Sequence, residues 1–122
     1  MNSVLIVDDS GFLRVMLKQM LTENGYEVIG EAVNGRDAID KYQKLTPKLV
    51  TMDITMPEMS GIEAVVEIMK IDKHAKIIMV TAIGQLAAVL ASIKAGAKDF
   101  ILKPYEEEKV IAVLGRICQE IS

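Results

Sequence analysis

Five short apolar runs alternate with helix-spaced stretches, and each run is closed at its far end by polar residues. That alternation constrains the chain more than any other feature. Val4-Leu5-Ile6-Val7 is apolar at every position and is followed by Asp8-Asp9. A run of this kind suits a strand covered on both faces, the condition found in parallel sheets. Lys48 to Asp53, Lys76 to Thr81 and Lys98 to Lys103 read the same way, while Tyr26 to Val33 is more polar and suits a sheet edge.

Helices are predicted between the runs. Leu13, Met16, Leu17, Met20 and Leu21 repeat at helical spacing after Ser10, a fitting N-cap, and Gly25 is placed to stop that helix. Ala38, Ile39, Tyr42 and Leu45 follow Asn34-Gly35, and Ser60 and Glu63 have capping-box spacing ahead of Val65, Val66 and Met69. A fourth helix runs from Gln85 to Lys94 and stops at Gly96. A fifth begins near Glu106 and carries Val110, Val113, Leu114, Ile117 and Ile121. Acids in its first turn suit the helix dipole. Strand–helix pairs with short turns and right-handed crossovers make an α/β fold: a doubly wound, five-stranded parallel sheet of flavodoxin-like (βα)5 type, order 2-1-3-4-5. In such a sheet the site forms at the carboxyl ends of the strands, beside the switch point between strands one and three.

Those ends carry Asp8 and Asp9, Asp53, Thr81 and Lys103, scattered along the chain but gathered on one rim by the topology. Taken singly, an aspartate after a strand is an ordinary cap or turn residue, and a threonine or lysine there means little. Together they suggest a site. Three converging carboxylates repel one another, so one protonates or a cation compensates them. Hard oxygen ligands with open positions favour Mg²⁺, which usually takes one or two carboxylates and keeps several waters. An acid cluster, a metal, an ammonium and a hydroxyl suit transient phosphoryl binding, where positioning and charge neutralisation do most of the work. A carboxylate can itself accept the group. Asp53 is the best candidate, because it ends a central strand and faces the acid pair across the switch point.

Composition narrows the alternatives. The chain has 122 residues, a net charge of −3 and one cysteine, Cys118, so a single domain spanning 1–122 with no separate output domain is expected. One cysteine makes neither an internal disulfide nor a thiolate zinc cluster. No apolar stretch approaches the ~20 residues that span a bilayer, and no basic leader opens the chain, so a cytoplasmic location is expected. The mild acidity argues against a nucleic-acid partner. His74 reads as a solvated turn residue and Cys118 as boundary packing. The methionines, including Met16, Met20, Met69 and Met79, read as adaptable core, and Glu106-Glu107-Glu108 as a favourable first turn rather than a metal site.

Asp8-Asp9, the run Met52 to Gly61, Thr81-Ala82 and Lys103-Pro104 resemble the receiver domain of bacterial two-component response regulators, over essentially the whole chain. Within that family the chain is most similar to the single-domain chemotaxis receivers of the CheY type. The resemblance implies that Asp53 accepts a phosphoryl group from a phosphohistidine on a sensor histidine kinase. It implies Mg²⁺ on Asp9, Asp53 and the backbone carbonyl of Thr55, with Asp8 acting through water. Lys103 would contact the phosphoryl group, Thr81 would move to bond it, and Phe100 would turn inward as the second half of the switch. Lys103-Pro104 is where the family has a cis peptide bond. A partner surface is expected at Leu86, Val89, Ile93 and Phe100, read by the flagellar motor switch, with a possible phosphatase and a monomeric state. Phe100 stands where many chemotaxis receivers have tyrosine. Thr55 and Ile83, two residues beyond Asp53 and Thr81, are poor groups for orienting a hydrolytic water, so a fairly long-lived phosphorylated state is expected.

Three other readings remain. A phosphorelay intermediate would pass the group to a histidine phosphotransferase using the same rim. A flavodoxin-like cofactor binder shares the fold, but its first turn must cradle phosphate, and here that turn opens with two acids. An aspartyl phosphatase would want a second acid where Thr55 stands.

Overall fold

The computed structural model describes residues 2–121, with side chains through Gln119. Strands and helices alternate strictly: β1 (Ser3–Val7), α1 (Gly11–Glu23), β2 (Glu27–Ala32), α2 (Gly35–Leu45), β3 (Leu49–Asp53), α3 (Gly61–Ile71), β4 (Ile77–Thr81), α4 (Leu86–Ala95), β5 (Asp99–Leu102) and α5 (Glu107–Ile121). Every strand pair is parallel, in the order β2-β1-β3-β4-β5. This is the flavodoxin-like arrangement expected from the apolar runs.

The runs are apolar throughout because both faces of the central strands are covered: every residue of β3 and β4 is buried. Their side chains alternate between two cores. Leu5, Val7, Val50, Met52, Ile77 and Met79 pack with Ala38, Tyr42, Ala64, Val65, Ile68 and Val89 under α2, α3 and α4. Val4, Ile6, Leu49, Ile78 and Ile101 pack with Leu17, Leu21, Val110, Leu114 and Ile117 under α1 and α5. Each fully buried aliphatic side chain is worth roughly 1.5–3 kcal/mol over its exposed state, so a one-residue register slip would cost both cores at once.

The helix starts follow the expected chemistry. Ser10 Oγ accepts from Leu13 N at 3.2 Å, Asn34 Oδ1 from Asp37 N at 2.8 Å, and Ser60 with Glu63 completes a capping box. α1 is capped at Asn24, and Gly25 (φ +86°) then turns the chain toward β2. The strands are shorter than the apolar runs suggest. β2 omits Tyr26 and Val33, whose amide is bonded by Asp37 Oδ2 at the next helix, and β5 stops at Leu102, one residue before Lys103.

Some helix positions expected in the core are outside it. Met16, Leu45 and Val66 are exposed, because α1, α2 and α3 each bury a narrower stripe than the apolar spacing implies. Met79 is fully buried, while Met20 and Met69 sit at the core margin. Cys118 is also at the margin, contacted by Asn2 Nδ2 at 3.1 Å and the Tyr26 hydroxyl at 3.6 Å, and His74 is exposed. The Ile121 side chain, expected on the α5 core face, lies outside the described side chains. Among the described residues no helix is long and apolar enough to cross a membrane.

Candidate functional site

The carboxyl ends of β1, β3, β4 and β5 bring Asp8, Asp53, Thr81 and Lys103 to one rim. Asp8 follows β1 directly, held by its amide donating to Ala32 O at 3.0 Å, while its Oδ1 accepts from Ser10 N at 2.9 Å. Asp53 is the last residue of β3. Both are buried, at 2% and 7% exposure, whereas Asp9 is exposed at the mouth. One carboxylate oxygen from each of the three lies within 4.8 Å of the others.

Among the described residues a single ammonium answers them. Lys103 Nζ stands 3.1 Å from Asp8 Oδ2 and 3.4 Å from Asp53 Oδ1. Asp8 Oδ2 is buried and accepts no well-oriented hydrogen bond, so the lysine meets it by charge alone. The Asp53 carboxyl is pushed up to about 6: burial does most, the Asp8 charge adds to it, Lys103 opposes, and Asp9 contributes a little more. Three close carboxylates against one ammonium leave the pocket short of positive charge. A buried acceptor without a hydrogen bond, beside two further carboxylates, fits a hard oxygen-loving cation such as Mg²⁺.

The surrounding residues fix this geometry. Gly61, at the start of α3, is buried and donates its amide to Ile54 O at 2.8 Å. A Cβ there would lie 2.0 Å from the Asp53 carbonyl oxygen, so only glycine lets α3 start this close to the strand end. Arg14 of α1 donates to the Asp8 carbonyl at 2.8 Å and pairs with Glu31 at 3.0 Å. Burial, together with the charges of Asp8 and Asp53, raises the Tyr105 hydroxyl well above its usual range. The Lys103–Pro104 peptide bond is cis. Thr81 is buried, and its hydroxyl lies 2.9 Å from Gln85 Oε1 and 3.0 Å from Ala82 O. Gln85 Nε2 donates to the hydroxyl of Thr55, which is exposed at the mouth.

The sequence reading named the rim residues but not Gly61 as a packing constraint, nor Arg14, Tyr105 or Gln85. A glycine eight residues after an aspartate has no visible reason until the two backbones are seen to touch. Gln85 reads in sequence as an ordinary helix start.

The surface beside α4 differs from the expectation at one residue. Val89, expected on the partner face, is 4% exposed and belongs to the core beneath α4, because it occupies the helix stripe that meets the sheet. Leu86, Ile93 and Phe100 are exposed as expected, and Ile83 and Leu90 join them. Next to them a groove of about 540 Å³ runs between β5 and α5, lined by Phe100, Leu102, Lys109, Val113 and Arg116 among others.

Residues 4–115 match the family model of the response regulator receiver domain. The chain belongs to that family. This receiver is 60% identical over 116 residues to the chemotaxis protein CheY of Thermotoga maritima, covering 95% of this chain and 97% of that one. It is 52% identical over 113 residues to CheY of Bacillus subtilis, covering 93% and 94%. Among solved structures, the CheX–CheY–BeF3–Mg²⁺ complex from Borrelia burgdorferi matches with a TM-score of 0.85 at 39% identity, covering 93% of this chain and 89% of that one. The receiver is thus a phosphoacceptor signalling protein of the CheY type, with its acidic site at Asp8, Asp9 and Asp53.

Proposed function

We propose that Asp53 is the phosphoacceptor. One of its carboxylate oxygens attacks the phosphorus of a phosphohistidine on a sensor kinase. The new O–P bond forms as the P–N bond breaks, and the departing imidazole takes up a proton. Mg²⁺ would be held by Asp9, Asp53 and the Thr55 carbonyl, with Asp8 acting through water. When bound, it neutralises the charge of the acids and of the transferred group. Lys103 stays within reach of Asp53 and balances charge on the phosphoryl oxygens, and Thr81 supplies a hydroxyl to them. The observation that carries this reading is the placement of one ammonium between two buried carboxylates at the ends of three different strands.

A phosphoryl group adds up to about two negative charges and three strong acceptors beside Thr81 and Lys103. Thr81 turns toward it, the Phe100 ring (38% exposed) swings inward, and the face of Ile83, Leu86, Leu90, Ile93 and Phe100 changes shape. The chemotaxis function of the relatives supports a reading of what recognises that face. We propose a chemotaxis kinase as donor and the flagellar motor switch as target, with a CheX-like protein as a further partner by likeness to the Borrelia burgdorferi complex, and the receiver working as a cytoplasmic monomer.

Labelling with acetyl phosphate or a donor kinase in Mg²⁺ is the primary test. Wild type should take up the label and Asp53→Asn should not; equal labelling of the two would overturn the assignment. Capture with and without beryllofluoride tests the output. Retention of a switch-complex protein supports it, whereas retention of a histidine phosphotransferase points to a phosphorelay.

A further inference from the structure

We propose that Gln85 is a positioning residue of the switch: its carboxamide oxygen is an internal stand-in acceptor that occupies Thr81 until a phosphoryl group displaces it. The inference deepens the reading of Asp53 given above and rests on it.

Gln85 stands at the N-cap of α4, yet its side chain makes no cap bond. It folds back over the strand ends instead. Oε1 accepts the Ala82 amide at 3.1 Å and lies 2.9 Å from Thr81 Oγ1, while Nε2 donates to Thr55 Oγ1 at 3.0 Å. The Ala82 amide can only donate, which fixes the orientation of the carboxamide: oxygen toward Ala82, nitrogen toward Thr55. The Thr81 hydroxyl has one proton to give, and its two near neighbours, Gln85 Oε1 and Ala82 O, are both pure acceptors. That proton is therefore engaged. A phosphoryl oxygen on Asp53 can receive it only by competing with these two.

The same carboxamide ties three segments together: the end of β4, the loop after β3 and the first residue before α4. Gly84 (φ +94°), with open space where a side chain would be, is the pivot immediately before it. Once Thr81 leaves, the turn from Ala82 to Gln85 loses part of its side-chain tether. Ile83 and Leu86, 82% and 66% exposed, ride on or next to that turn. The chemical state of Asp53 is thereby passed to the apolar face that a partner reads.

The test is beryllofluoride affinity in saturating Mg²⁺, measured by calorimetry for wild type, Gln85→Ala and Gln85→Met, with Asp53→Asn alongside. Removing one competing hydrogen bond of ordinary strength should tighten binding about threefold to tenfold in both Gln85 variants. Gln85→Met keeps the side-chain length, so tightening in both assigns the effect to the lost hydrogen bonds rather than to a void. A purely structural glutamine would lower Tm without tightening binding, and affinity unchanged or weakened in both variants overturns the proposal. A wild type that binds no beryllofluoride overturns the phosphoacceptor reading and this inference together. Wild-type binding matched by the Gln85 variants removes only the role of Gln85.

Discussion

Gly61 lies so close under Asp53 that a methyl group on its α-carbon would stand 2.0 Å from the Asp53 carbonyl oxygen and 3.0 Å from the Ile54 α-carbon. Both obstacles are backbone, so neither yields by a rotamer change. Gly61→Ala must therefore push α3 away from the end of β3 or twist the strand that presents the phosphoacceptor. We expect a loss of at least about 2–3 kcal/mol in urea denaturation, at the upper end of overpacking costs. Phosphoryl labelling should fall as well, because the Asp53 carboxylate is carried on the displaced backbone. Wild-type stability and labelling in this variant would show that the loop yields at no cost.

The raised Asp53 carboxyl has a consequence for stability. Its value of about 6 in the folded protein lies above the ordinary 3.8, so between these pH values the folded state holds more of this proton than the unfolded state does. Stability contributed by the protonated form is complete below about 4 and is lost as pH rises through about 6. Metal-free wild type should lose Tm over that window, and Asp53→Asn, which carries no charge there, should not. Mg²⁺ at neutral pH should recover the loss in wild type more than in Asp53→Asn. The check is a set of thermal melts from pH 4 to 8 with and without Mg²⁺. A wild-type profile matching that of Asp53→Asn throughout would refute the coupling.

The fold was legible because hydrophobic pattern and topology carry the same information here. Strands buried on both faces must be apolar at every position, whereas both edge strands leave residues exposed: Glu27 on β2, and Phe100 and Leu102 on β5, whose run reads as fully covered in the sequence. The rim residues were legible for a related reason: a polar residue ending an apolar run has to stand at the strand's carboxyl end. What escaped depends on side-chain direction rather than position in the chain. Val89 falls into the helix stripe facing the sheet while Leu86, three residues earlier, does not, and α4, apolar on nearly every side, gives no clue to which stripe is buried. Gln85 and Gly61 escaped because a partner that explains each, Thr55 for one and the Asp53 backbone for the other, comes from another segment of the chain.

Lys103 offers a second electrostatic test. Its ammonium is the positive group beside both Asp8 Oδ2 and Asp53 Oδ1, and the two carboxylates are almost wholly buried. Lys103→Met keeps most of the aliphatic stem but leaves the pair uncompensated. We expect a loss of about 2–4 kcal/mol at pH 7 without metal, as for a buried ion pair that has lost one partner. The loss should shrink near pH 5, where Asp53 is protonated, and on addition of Mg²⁺. Labelling should drop at least tenfold by roughly the same logic of lost charge balance. A variant as stable as wild type at neutral pH would mean that the acids are compensated in some other way.

Thr51 sits in β3 two residues before the phosphoacceptor, fully buried, and its hydroxyl has no hydrogen-bond partner among the described residues. Its register partners are Ile6 on β1 and Ile78 on β4, so the surroundings are aliphatic. Thr51→Val keeps the shape and removes an unsatisfied polar atom. A gain of about 1 kcal/mol, or roughly 3–5 °C in Tm, is expected, with labelling of Asp53 unchanged. A decrease in Tm would mean that the hydroxyl has a partner in solution.

Loss of the phosphoryl group requires a water aligned on phosphorus, opposite the Asp53 oxygen, and a neighbour to hold it there. Ile83, 82% exposed, has no group to do so, and the Thr55 hydroxyl is engaged by Gln85 in the unphosphorylated protein. Neither position supplies a carboxylate. The phosphorylated state should therefore outlast seconds, as read by phosphate release from labelled protein in Mg²⁺. Installing polar groups at both positions, as Thr55→Asn with Ile83→Gln, should speed release by about tenfold or more if water orientation is what limits the rate. Wild-type release within seconds would mean that another group at the mouth orients the water. Gln85, freed when Thr81 turns away, is then the side chain to examine, and Gln85→Met would slow release instead of leaving it unchanged.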